Sequence, residues 1–237
     1  MRESTHCVYC GILMNREENH PQCRSVEHMI PQISVSFRRS NGEGDFHVCK
    51  KCNGDKSRTD EVLGVICRMV SEHPDGSTDA IKSFNKALGR NDSKFIEVLR
   101  SVTPLADGAY ITLPLTANEL YQYGKWLGKG VYYIQHGELL APDQPIWVDL
   151  VGQEEVNFIK RQYWNRHGSD AFEDLSKNVK IPNLNKESFL IFNDDSREMY
   201  VCFNRVLMFH IRILDKTFIN QKKCAKALRT LKKKVGK

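Results

Sequence analysis

The chain has 237 residues, 41% hydrophobic and 27% charged, which is typical of a soluble globular protein with one large domain or a small module joined to a larger one. No run approaches the ~18 apolar residues of a membrane helix, and the N-terminus lacks the apolar segment of a signal peptide, so we expect a cytoplasmic protein without membrane partners. The net charge of +6 does not by itself establish nucleic-acid binding.

Residues 1 to about 60 are rich in Cys, His, Asn and charge and contain too few apolar residues to bury a core unaided. They contain two C-x2-C pairs, Cys7 with Cys10 and Cys49 with Cys52. Each pair can supply two thiolates from one tight turn, and zinc binds four such ligands as a tetrahedron. The sequence therefore predicts a structural zinc held by these four cysteines. Unmetallated core thiols are the alternative.

From about residue 60 the apolar periodicity is helical. It predicts helices in "DEVLGVICRMV", "STDAIKSFNKALG", "DSKFIEVLRSV", "LTANELYQYGKWLGKGVYYIQHG" and "QEEVNFIKRQYWNRHG". Thr116 followed by Glu119 is the pattern of a capping box. "PIWVDLV" predicts a short buried strand, and "SFLIFN", "EMYVCFN" and "RVLMFHIRIL" predict an antiparallel meander. A basic helix is expected from about Thr217 to the end.

The segment between the cysteine pairs contains "VEHMIPQ", and the second pair continues into "CNGDKS". This order and spacing resemble those of the HNH endonuclease family over roughly residues 7 to 60. The matching elements are the two cysteine pairs, Glu27-His28, Ile30-Pro31, Asn53 and Lys56.

The resemblance implies a ββα-metal fold that hydrolyses phosphodiester bonds. It implies His28 as general base, because a histidine can accept a proton from water near neutral pH. It implies Glu27 and Asn53 as ligands of a catalytic Mg²⁺ or Mn²⁺, since hard cations prefer oxygen ligands. Lys56 is the expected phosphate contact.

One position departs from the family pattern. An Asn that orients the base is usual about nine residues before the final ligand, and Gly44 stands there instead. Asp45 or Asn41 would then orient His28. The role of His47, which lies nearby, stays open.

These observations predict an α+β protein in which an HNH module precedes a mostly helical region and an antiparallel meander. Residues 1–70 would form the nuclease module with its four-cysteine zinc site. Residues 71–237 would form an accessory domain that binds nucleic acid or a partner and ends in the basic helix. Within "KKCAKALRTLKKKVGK" no residue is acidic, which is typical either of a solvated helix or of a phosphate-binding surface.

The expected function is metal-dependent cleavage of DNA, in bacterial defence, in restriction or in a mobile element, with a regulatory ATPase or sensor protein as a further partner. Two alternatives stay open. The first is a catalytically silent zinc-ribbon protein that binds nucleic acid or acts as an adaptor. The second is an effector that cuts RNA with the same site.

Overall fold

The structure, a computed structural model, combines helices with antiparallel sheets and so confirms the α+β class. It describes residues 3–34, 45–70, 74–105, 108–169, 188–193 and 197–215. Asn41, Gly44, Cys224 and the basic segment from Thr217 onward lie outside these residues. No helix in the described part of the chain is long and apolar enough to cross a membrane.

The N-terminal residues form two strands followed directly by a long helix. Strand β1 (Arg24–His28) pairs antiparallel with β2 (Asp45–Cys49), and α1 (Lys50–Met69) begins at the next residue. Successive side chains on a strand point to opposite faces, so Glu27 is 1% exposed while His28 lies at the surface. The first half of α1 precedes residue 60, where the apolar periodicity begins, because its first turns carry mostly polar side chains.

Helices α2 (Pro74–Gly89) and α3 (Ser93–Ser101) pack on α1 around a small apolar cluster, as the periodicity predicts. Arg58 donates two hydrogen bonds of 2.6 Å to Asp92, which caps α3. A hairpin of β3 (Thr103–Leu105) and β4 (Gly108–Tyr110) follows. The sequence did not predict it, since its strands are too short to show alternation.

Helix α4 (Ala117–His136) starts with the predicted capping box of Thr116 and Glu119. A hydrogen bond from Lys94 lowers the pKa of Glu119 to about 2. Two glycines allow α4 to approach its neighbours closely. A Cβ at Gly124 would lie 2.3 Å from Val148, and one at Gly130 would lie 2.8 Å from the ring of Phe46.

The C-terminal part of the chain forms a four-stranded antiparallel sheet. Its elements are β5 (Ile146–Gly152), α5 (Gln153–His167), β6 (Phe189–Asn193), β7 (Glu198–Phe203) and β8 (Leu207–Ile213). The strand order β5-β8-β7-β6 confirms the meander, and Asn204 and Arg205 turn between β7 and β8 with positive φ. The prediction of a buried strand at β5 was wrong, because β5 is an edge strand in which Ile146 alone is buried.

A single apolar cluster joins the two ends of the described chain. It contains side chains from the segment directly after β1, from β2, α1 and α4, and from all four strands of the C-terminal sheet, and the ring of Phe46 meets that of Tyr133 at 5.9 Å. The N-terminal residues therefore complete their core with residues from beyond position 70. The division into units at residue 70 stays a prediction about which segments fold independently.

Candidate metal centre and candidate catalytic cleft

The two cysteine pairs meet because each occupies a sharp turn at the end of an extended segment. Cys7 begins the first turn, which Gly11 closes with φ of +76° and a 2.8 Å hydrogen bond from its amide to the Cys7 carbonyl. Cys49 ends β2 and caps α1, and its Sγ accepts a hydrogen bond from the Cys52 amide at 3.4 Å. The second pair thus lies at the N-terminus of a helix, where the backbone amides stabilise thiolates.

The four sulfur atoms lie within 4.8 Å of one another. Four sulfurs at a Zn–S distance of about 2.3 Å in a tetrahedron are roughly 3.8 Å apart, and Cys10 and Cys49 Sγ are 3.9 Å apart. The cluster can therefore bind one metal ion such as zinc, as predicted. In the described part of the chain no other group of three or more His, Cys, Asp or Glu side chains meets this distance criterion, and Cys23 is not in the cluster.

Helix α4 contacts the turn that contains Cys7 and Cys10. Lys129 Nζ donates a hydrogen bond of 2.5 Å to the carbonyl of Tyr9, inside the turn. Burial lowers the pKa of Lys129, and the neighbouring cysteines offset this shift only in part. A positive charge beside four sulfur ligands complements the negative charge of a tetrathiolate site.

A cleft of about 390 Å³ lies between β1 and α1. The residues that line it are Val26, Glu27, His28, Pro31, Ile33, Asn53, Ser57, Asp60 and Glu61. Three residues predicted from the sequence, Glu27, His28 and Asn53, thus share one concave surface.

His28 is held in this cleft by Asp45. The register of β1 with β2 sets the two residues opposite each other, and His28 Nδ1 lies 2.9 Å from Asp45 Oδ1. The carboxylate is buried, whereas the imidazole side chain is 49% exposed. Of the two residues that the sequence offered as partners of His28, Asp45 is in contact with it, and Asn41 lies outside the described residues. The second ring nitrogen, Nε2, has no partner among the described residues.

Asn53 joins the first turns of α1 to β1. Its amide nitrogen donates to Ser25 Oγ at 2.6 Å and to the Val26 carbonyl at 2.9 Å. These bonds fix the side chain and leave its Oδ1 atom without a donor in the described part of the chain. An amide oxygen is a suitable ligand for a hard cation.

Glu27 forms a buried ion pair that the sequence did not predict. Its Oε1 atom lies 2.8 Å from Lys56 Nζ, which also donates to both carboxylate oxygens of Asp60 at 2.8 and 2.9 Å. The Tyr123 hydroxyl of α4 donates to Asp60 at 2.6 Å. We call these four residues the buried ion network.

The network corrects the role predicted for Lys56. Its side chain is fully buried between two carboxylates, so it cannot contact a phosphate in this structure. Burial would lower the pKa of Lys56, but Asp60 and Glu27 together raise it. Burial also raises the pKa of Glu27, which Lys56 offsets only in part.

Asp60 is the cleft residue that sequence reasoning missed. Its spacing four residues after Lys56 was the available signal, because side chains at i and i+4 of a helix are neighbours. His47, in contrast, lies away from the cleft, where its Nδ1 atom accepts a hydrogen bond from Arg24 at 2.8 Å. Burial and the Arg24 charge lower the pKa of His47.

Replacing Lys56 by methionine is expected to lower the free energy of unfolding by about 3–5 kcal/mol, because Glu27 and Asp60 would lose their buried counter-charge. Urea denaturation of the metal-loaded protein measures this. The loss should be larger at pH 8 than at pH 5, since protonation relieves two unpaired carboxylates. Lys51→Met, which removes an exposed 3.4 Å pair with Asp55, should cost less than about 1 kcal/mol. Equal losses in the two variants would contradict the structural role of the network.

Comparisons of the chain with protein-family models, with curated proteins and with solved structures found no match.

Proposed function

We propose that the protein is a metal-dependent HNH-type endonuclease that hydrolyses phosphodiester bonds of DNA. The observation that carries the proposal is that His28, exposed in the cleft, contacts the buried Asp45 carboxylate at 2.9 Å, beside the helix turn that carries Cys52 and Asn53. The order β1, β2 and α1, together with the two cysteine pairs, also supports the proposal, because it agrees with the ββα-metal fold that the resemblance implies.

In this mechanism His28 accepts a proton from the attacking water at Nε2. Asp45 holds the Nδ1–H, which sets the tautomer that leaves Nε2 able to accept. It also stabilises the imidazolium that forms, because a buried carboxylate next to the ring complements its positive charge. This is the same division of work as in other base–carboxylate pairs of hydrolases.

The residues present fit a catalytic cation in part. Asn53 offers its amide oxygen, and Glu27 offers a carboxylate only if it gives up its contact with Lys56. A bound Mg²⁺ or Mn²⁺ would supply charge neutralisation at the leaving oxygen. Lys56 provides the positive charge next to Glu27 in this structure.

The engagement of Glu27 by Lys56 favours the second candidate, a catalytically silent zinc protein that binds nucleic acid or acts as an adaptor. In that case the contact between His28 and Asp45 would only fasten β1 to β2. The two candidates differ in whether divalent cation produces cleavage.

The test uses zinc-loaded protein and labelled strands of one sequence, prepared as duplex DNA, single-stranded DNA and RNA. Each is incubated with Mg²⁺, with Mn²⁺ or with neither, because a chelator would also remove zinc from the cysteines. We expect cation-dependent cleavage of DNA. Cleavage of RNA alone would support the RNA-cutting effector, and intact strands in every reaction would support the silent protein.

A further inference from the structure

Part of the surface of α5 is exposed among the described residues. Val156 and Tyr163 bind the helix to the sheet, next to Cys202 and Met208. Trp164 is not part of this cluster and is 58% exposed. It lines a shallow groove of about 580 Å³ whose other described lining residues are Asn157, Lys160 and Arg161.

These residues share a face because they are spaced three, four and seven positions apart. We call Asn157, Lys160, Arg161 and Trp164 the α5 face. An exposed tryptophan contributes nothing to the core, and here two basic side chains lie about one turn before it. The arrangement places an aromatic plane and two positive charges at the rim of one groove.

The charge distribution of α5 favours an anionic occupant. None of the residues of the α5 face is acidic. The acidic residues of the helix are Glu154 and Glu155 in its first turn, where Glu155 accepts a hydrogen bond from the Gly152 amide as part of the helix cap. Both negative charges thus lie in the first turn, more than two turns before Trp164, and the helix ends in basic residues, Arg166 and His167.

We propose that the α5 face binds single-stranded nucleic acid, with a base stacked on Trp164 and phosphates beside Lys160 and Arg161. Duplex bases are stacked on one another and cannot use a flat side chain, whereas unpaired bases can. The inference rests on the proposed function for its choice of nucleic acid over a protein partner. It places a second contact for the substrate outside the cleft.

The experiment measures binding without cleavage. Zinc-loaded His28→Ala protein, with Mg²⁺ and Mn²⁺ omitted, is titrated into a labelled oligo-dT strand, and the anisotropy of the label gives Kd. Trp164→Ala in this background should weaken binding about 5- to 150-fold, the effect of losing one stacked base. Replacing both Lys160 and Arg161 by glutamine should flatten the log–log salt dependence by roughly 0.7 for each lost phosphate contact.

Phe158→Ala is the matched control, because Phe158 is also aromatic, 56% exposed and on α5, but does not line the groove. It should bind the strand as tightly as its parent. Zinc content and circular dichroism verify that each variant is folded. Unchanged binding by Trp164→Ala, or an equal loss in Phe158→Ala, would overturn the proposal and would indicate a face for a protein partner.

The two proposals fail separately. Binding that depends on Trp164, in a protein that never cuts DNA, would support the α5 face and refute the nuclease. Cation-dependent cutting together with binding that ignores Trp164 would support the nuclease and overturn the α5 face.

Discussion

Removing the metal from the four-cysteine cluster is expected to unfold the N-terminal residues and the core that they share with α4. Structural zinc supplies about 10–16 kcal/mol to small folding units, whereas a whole domain is stable by only about 5–15 kcal/mol. Cys49→Ser should have the same effect, because Cys49 is at once a ligand candidate, the end of β2 and the cap of α1. Elemental analysis and thermal denaturation with and without a chelator measure the two outcomes, and we expect one zinc per chain.

Cys23→Ser is the matched control for this prediction. Cys23 lies in the same part of the chain and is half-buried, but it is not one of the four clustered sulfurs. The variant should keep its zinc and most of its stability. Folded protein that contains no metal after mild purification would refute the four-cysteine centre.

His28→Ala is expected to reduce the single-turnover rate of DNA cleavage by about 10²–10⁴-fold, the usual contribution of a general base. The affinity of the protein for Mn²⁺ and for DNA should change little, since Asn53, Glu27 and the basic side chains are all retained in the variant. Asp45→Ala should cause a smaller loss, because the base remains but its ring is no longer held. Rapid-quench kinetics with excess protein, alongside isothermal titration with Mn²⁺, separates the rate from binding.

His136→Ala controls for the loss of a histidine as such. His136 is exposed at the end of α4, with its ring tilted against that of Tyr132, and is absent from the cleft. Its cleavage rate should equal that of the wild type. If His28→Ala instead lost Mn²⁺ binding and rate in proportion, His28 would be a cation ligand and not the base.

Local sequence patterns predicted the parts of the site that depend on neighbouring residues. The C-x2-C spacing predicted the knuckles, and strand alternation predicted that Glu27 and His28 would face opposite ways. The capping box and the meander were confirmed for the same reason, because each depends on residues close together in the chain.

The parts that were missed depend on long-range contacts. The sequence contains no signal that Tyr123 of α4 would meet Asp60, which in turn holds Lys56 away from the surface. For His28 the sequence left Asp45 and Asn41 as alternatives, because the choice between them depends on the register of β1 with β2. The edge position of β5 likewise depends on its pairing with β8, from which it is separated in the sequence by α5, β6 and β7.

The proposal that His28 is the general base of a nuclease is tested by nicking of supercoiled plasmid. Wild-type and His28→Ala proteins are purified identically and matched in zinc content. Supercoiled plasmid reports a single cut per molecule, and the variant controls for contaminating nucleases. We expect wild-type protein to convert the plasmid to open-circular or linear DNA only when Mg²⁺ or Mn²⁺ is added, and His28→Ala to leave it supercoiled over the same time. Equal conversion by both proteins, or none by either, would contradict the proposal.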